Sequence, residues 1–197
     1  MQTKNLAGLY NLPPLEWEPI SARLGEAVSQ APDSGGPNRH TCWLATLNPD
    51  GSPHVTALGA LWVGDAFWFV TGERSRKGEN LERDPRCAMS VSVHDADVVF
   101  EGEARRVAER DMVAAMAERW ASGGWPCRVD DSGAALTAEY SAPSAGPPPW
   151  AVCKLAPQRA TALSTVEPAA PPAGPSEHHR AVWAGATRSG SKATARM

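Results

Sequence analysis

The stretch LATLNPDGSPHVTALGALWVGDAFWFVTGERSRKGENLERDPRCAMSV, residues 44–91, alternates runs of β-forming residues with turns whose chemistry is explicit. Asn48-Pro49-Asp50-Gly51 reverses the chain, because Pro presets φ and Gly accepts φ > 0. The runs on either side, His40 to Leu47 and Pro53 to Val63, read as the two arms of a hairpin. Gly64-Asp65 is a second tight turn, leading into Ala66 to Thr71. Strands joined by such short connections run antiparallel. Next comes a basic turn, Arg74-Ser75-Arg76-Lys77, where a short helix is expected over 77–83. That helix stops before Pro85, since the residue ahead of a proline is pushed out of the α region. Strands are expected again over 86–93 and 98–107. The second alternates Phe100, Gly102 and Ala104 with Glu101, Glu103 and Arg105.

Outward from this block the elements are plainer. Residues 1–15 read as an irregular leader ending at Pro13-Pro14. Ile20, Leu24 and Val28 have helical spacing, which predicts a helix from Pro19 to about Gln30. A second amphipathic helix is expected over 109–121, with Met112, Val113, Met116 and Trp120 on its apolar face. A last strand, interrupted near Pro157, is expected from Trp150 to Leu163. Many short strands with hairpin turns favour a barrel, placed here over residues 16–165. Residues 166–197 are rich in Ala, Pro, Gly and Ser without periodicity, and read as a disordered tail. His178-His179 in that tail reads as solvated rather than metal-binding.

Composition excludes several classes. With 19 Lys+Arg against 22 Asp+Glu, the net charge of -3 gives no global basis for nucleic-acid binding. The first residues contain no apolar signal segment, and no run reaches membrane-spanning length, so a cytoplasmic protein without membrane association is expected. The 4 cysteines, Cys42, Cys87, Cys127 and Cys153, form no C-x-x-C pair and read as buried thiols. Cys127, after Pro126 in a Gly-rich stretch, is the one expected to be most exposed.

No G-x-S-x-G or H-E-x-x-H is present, and no metal site is expected. His40, His54 and His94 stand alone in or beside strands, which suits structural or surface roles. Glu79, Glu82 and Asp84 read as balancing the nearby arginines on a solvated helix face. The chemistry concentrates in the basic turn. A helix N-terminus carries free N–H groups and partial positive charge, and cations plus a hydroxyl there suit a phosphate. The ordinary reading, surface charge, stands beside it.

The order hairpin, D-G-x-P turn, G-D turn, aromatic strand ending in Thr, S-R-K, N-L-x-x-D-P-R and strand resembles the pyridoxamine-phosphate-oxidase-like superfamily of flavin- and deazaflavin-binding proteins. The resemblance implies a mainly β fold with flanking helices, a six-stranded antiparallel split β-barrel of the FMN-binding type. It implies a homodimer with the cofactor at the subunit interface. It gives the cofactor phosphate to Ser75, Arg76 and Lys77, with Thr71 on phosphate or ribityl oxygens. Ring contacts, largely through backbone, fall to Val55, Thr56, Ala57 and Leu58. Asn80 either braces the turn or lies on the helix surface. Pyridoxamine-phosphate oxidases carry an Arg and a Lys where this chain has Thr56 and Leu61. The pattern is therefore closer to an oxidoreductase using deazaflavin (coenzyme F-420) or FMN for hydride transfer to a small organic acceptor. Alternatives are an oxidase-like FMN protein, or a flavin- or haem-binding carrier or sensor without turnover. Trp43, Trp62 and Trp68 are assigned to the core, although one could border the acceptor.

Overall fold

The computed structural model describes residues 1–10, 14–25, 42–93, 96–142 and 144–164. Along them run β1 (Gln2–Asn5), a 3-10 turn (Ala7–Tyr10), α1 (Trp17–Gly25), β2 (Cys42–Leu47), β3 (Pro53–Leu58) and β4 (Leu61–Trp62). Then come β5 (Phe67–Thr71), α2 (Arg76–Arg83), β6 (Arg86–Val93), β7 (Ala96–Val107), α3 (Arg110–Ser122), β8 (Arg128–Val129), β9 (Leu136–Thr137) and β10 (Ala151–Ser164). The tail, His40, His94 and the far end of the first expected helix lie outside the described residues.

The main sheet has the order β3-β2-β6-β7-β10-β5-β4, with every neighbouring pair antiparallel. The run expected as one strand over 53–63 breaks at Gly59-Ala60. Its two pieces, β3 and β4, stand at opposite ends of the sheet order. A two-residue link can join the first and last strands only if the sheet curls until its ends nearly meet. The result is a barrel left split between β3 and β4. The interruption expected near Pro157 is a bulge in the β10–β7 register between Pro157 and Arg159. The leader, expected to be irregular, instead supplies β1, which pairs in parallel with the second half of β10 and brings the sheet to 8 strands.

The barrel interior is filled by residues such as Leu44, Phe67, Phe69, Met89, Phe100 and Leu155, closed at one side by Ile20 and Leu24 of α1. Phe100 and Trp62 each meet three other rings; the Phe100 centroid lies 6.1 Å from Trp17, 5.4 Å from Trp62 and 4.8 Å from Phe67. A second apolar cluster packs α3 and the small β8–β9 hairpin around Trp68, Trp120, Trp150 and Val152.

Three expectations about individual side chains are corrected. Trp43 is not core but 52% exposed, because its outer-face neighbours across β3 and β6 are the small Ala57 and Ser90. Met112 lies off the buried face of α3, which is built from Val113, Met116, Ala117 and Trp120. Cys127 is buried rather than exposed, its Sγ 4.0 Å from the Ala117 carbonyl. The four thiols are free. Burial pushes Cys42, Cys87 and Cys153 up to about 12 and Cys127 to about 11, so each is a neutral thiol at neutral pH. Among the described residues no helix is long and apolar enough to cross a membrane.

Candidate cofactor-binding site

The basic turn is built around Ser75. Its backbone is extended, with φ -75 and ψ 151, and its Oγ accepts from the Gly78 N–H at 3.2 Å, which starts α2. The same hydroxyl donates to the Gly72 carbonyl at 2.7 Å and lies 2.8 Å from Thr71 Oγ1. Thr71, at the end of β5, thereby joins the cap in one hydrogen-bonded unit. Gly78 lets the helix lie directly on the preceding turn: a Cβ there would stand 2.5 Å from the Gly72 carbonyl oxygen and 2.9 Å from that of Glu73.

This close seating drives Lys77 inward. The side chain is 2% exposed, and its ammonium group donates to the Ser144 carbonyl. No carboxylate of the described residues pairs with it, and burial lowers its pKa from 10.5 to about 8. Arg74 and Arg76 point to solvent. The charge of Arg76 also reaches the hairpin turn. There the Asp50 carboxyl is held below its usual range, first by hydrogen bonds from Ser52 and then by that guanidinium.

Asn80 is 2% exposed, so it is not a helix-surface residue. Its Nδ2 donates to Thr46 Oγ1 at 3.1 Å and to Asn48 Oδ1 at 3.3 Å, while its Oδ1 accepts from Arg83 Nη1 at 3.3 Å. Arg83 also donates to the Leu47 carbonyl. These bonds clamp α2 to the β2–β3 hairpin. Through them the basic turn and the hairpin that carries β3 are joined by side-chain hydrogen bonds.

On β3 the four candidate ring residues divide by face. Val55 (55% exposed) and Ala57 stand opposite Ala45 and Trp43 on the outer face. Thr56 and Leu58 stand opposite Leu44 and Cys42, whose side chains fill the barrel. Only Val55 and Ala57 can therefore offer side chains to an outer ligand, and Thr56 and Leu58 could contribute backbone alone. β3 ends the sheet order, so its backbone groups on the side away from β2 are outside the ladder. That open edge suits polar ring atoms.

Beside α2 a cleft lies between the helix (Gly78, Leu81, Glu82) and the sheet (Thr71, Ala104, Ala151, Cys153), with Glu73 and Arg106 ion-paired at its rim. Sequence reading missed Thr46, Arg106 and Ser144. Arg106 sits in an alternating strand without a motif, and Ser144 lies in a Ser/Pro/Gly loop, so neither carried a signal. The only hint for Thr46 was its place beside the hairpin turn. Among the described residues no group of three or more His, Cys, Asp and Glu could hold a metal ion.

A curled antiparallel sheet split between two strands, with a basic helix start clamped to its first hairpin, defines a split-barrel protein of the pyridoxamine-phosphate-oxidase-like class. Residues 28–164 match the family model described as pyridoxamine 5'-phosphate oxidase, and the chain belongs to that family. A pyridoxine/pyridoxamine 5'-phosphate oxidase of Alkalilimnicola ehrlichii is 35% identical over 163 residues, spanning 72% of this chain and 82% of that protein. Among solved structures, a conserved hypothetical protein of Mycobacterium tuberculosis superposes with a TM-score of 0.52 at 22% identity, covering 81% of this chain and 93% of the other. A Listeria innocua protein described as a candidate pyridoxamine 5'-phosphate oxidase gives a TM-score of 0.50 at 18% identity, covering 74% and 96%. Both likenesses concern the fold.

Proposed function

We propose that this protein is an oxidoreductase that binds deazaflavin (coenzyme F-420) or FMN and transfers hydride between that cofactor and a small organic molecule. The observation that carries the reading is Lys77: a buried ammonium group at a helix start, facing no carboxylate among the described residues and joined to one carbonyl. A buried cation is costly unless it is paired. A phosphate brought to Ser75, Arg76 and Lys77 would supply the missing charge, with Thr71 and the Ser75 hydroxyl beside it. The cofactor, when bound, supplies the hydride chemistry, and the chain binds and orients it. Ring contacts would come from the outer edge of β3, with Val55 and Ala57 as side-chain contacts. This role needs no general base or nucleophile, which suits a chain in which burial keeps every thiol neutral.

A second reading, FMN-dependent oxidation of a vitamin B6 phosphate, is favoured by the description of the 35% identical relative. Against it, the family resemblance puts an Arg at the position where this chain has Thr56. Competitive titration with FMN and coenzyme F-420, followed by turnover assays with quinone, enone and pyridoxine phosphate, separates the readings. Binding of neither cofactor would overturn both.

The site is proposed to lie at a homodimer interface. Trp43 (52% exposed), Val55 (55%) and Val99 (41%) project from one outer sheet face, an apolar surface suited to a second copy. Light scattering should give a dimer that Trp43→Glu converts to monomer. A monomeric parent protein would remove the interfacial site.

The depressed lysine gives this reading a pH signature. Between about 8 and 10.5 the unfolded chain keeps the Lys77 proton and the fold without phosphate releases it, so stability rises with pH across that window. A phosphate at Lys77 has the opposite effect, drawing the proton back. Among the described residues the other titratable group facing Lys77 is Cys153, pushed up to about 12 and therefore neutral in this range; Arg106 and Glu82 face Cys153 in turn. Cofactor affinity should fall as pH rises through about 8, and binding near pH 9 should take up close to one proton. Calorimetry in two buffers of different ionisation heat measures that uptake, and a value of zero would remove Lys77 from the phosphate site.

A further inference from the structure

Three side chains assigned to the cofactor are closed off: Thr71 is 3% exposed, and Lys77 and Asn80 are each 2% exposed. A phosphate cannot bond an ammonium group that solvent cannot reach unless something moves. What lies against Lys77 is the turn at residues 144–146. Its Ser144 carbonyl accepts from Lys77 Nζ, and its Ala145 carbonyl accepts from the Gly72 N–H at 3.2 Å. The fit is close, since a Cβ on Gly72 would stand 2.5 Å from the Ala145 oxygen. Two donors of the cofactor turn, one main-chain and one cationic, are thus both taken by oxygens of a single short segment. A phosphate would offer those donors the same kind of partner.

The turn is also held from behind. Ala142 N–H donates to the Gly146 carbonyl at 3.0 Å, and Ala145 N–H donates to the Ala142 carbonyl at 3.1 Å. The indole of the fully buried Trp150 donates to the same Gly146 oxygen at 2.8 Å. One set of bonds belongs to the turn itself and the second core. The other is made with donors that a ligand could claim.

We propose that the turn at residues 144–146 is a built-in competitor for the cofactor phosphate: it holds Gly72 N and Lys77 Nζ until phosphate oxygens take those donors and displace it. The proposal rests on reading Ser75, Arg76 and Lys77 as the phosphate site. Binding is then gated, and apparent affinity is reduced by the fraction of molecules in which the turn is open. Riboflavin, which has the ring without the phosphate, gains nothing from opening it.

Gly146→Val tests this. Gly146 has φ +77 and nothing within 4 Å of an added Cβ, so the substitution strains the turn's backbone without a steric clash. In the full-length protein, Lys77 should react with acetic anhydride about tenfold faster in the variant than in the parent, with the exposed Lys4 as internal reference. Stopped-flow association of FMN and of coenzyme F-420 should accelerate by a similar factor, while riboflavin shows no acceleration. Gly146→Ala should act in the same direction and more mildly, and serves if the valine variant does not fold. Unchanged Lys77 labelling and unchanged association in both variants would overturn the gate. In that case protection of Lys77 by saturating FMN or coenzyme F-420 would still uphold the phosphate site. If neither cofactor binds or protects Lys77, the site reading fails and the gate fails with it.

Discussion

Replacing Arg76 and Lys77 together by alanine should weaken binding of FMN or coenzyme F-420 by about a hundredfold or more. Each charge-assisted bond to phosphate is worth about 1.5–3 kcal/mol, and about 1.4 kcal/mol is a factor of ten in affinity. The fold should survive. Arg76 is exposed at the first position of α2, and its removal takes away only a screened interaction with the hairpin turn. Lys77 is buried, but its loss removes a desolvated cation and leaves one carbonyl, that of Ser144, without its donor. These two effects oppose each other, so the melting temperature should move by only a few degrees. Fluorescence titration of the cofactor together with circular dichroism of the variant checks both halves. Full affinity in a folded double variant would remove Arg76 and Lys77 from the phosphate site.

Phe100→Ala should cost about 3–5 kcal/mol of stability, the range for deleting a large buried aromatic side chain. Phe100 is fully buried and touches rings from three separate elements: Trp17 on α1, Trp62 on β4 and Phe67 on β5. It also lies on β7, near the middle of the sheet order, so its cavity would open under both halves of the curl. Urea unfolding should show a lower midpoint with an unchanged slope. A loss below about 1 kcal/mol would mean that the neighbouring rings collapse into the gap, and that the core is not organised around this side chain.

Both results bear on how far the sequence alone carries. The strands flanking Asn48-Pro49-Asp50-Gly51 and Gly64-Asp65 were legible because turn chemistry is local. So was the start of α2, where Ser75 and Pro85 mark the two ends. The break at Gly59-Ala60 was not legible, since a single β-forming run carries no sign that its halves join opposite ends of a sheet. β1 was missed because Gln2–Asn5 is polar and fully exposed, without the alternation that marks a half-buried strand. In the site, hydroxyls and cations stood out by type, whereas the burial of Lys77 did not. It follows from Gly78 seating the helix on its own preceding turn and from a loop nearly seventy positions away. The exposure of Trp43 depends likewise on which small residues the register places beside it.

The short first strand has a practical meaning. β5 flanks β10 only over Ala151–Leu155, and from Arg159 to Ala162 that flank is taken by β1. Stripped of Gln2–Asn5, part of a 14-residue strand would present unpaired N–H and C=O groups, a template on which another chain can stack. Pairing with Gln2–Asn5 covers those groups, and removing it should raise the tendency to self-associate. A fusion partner or purification tag is better attached where it cannot pry these residues loose.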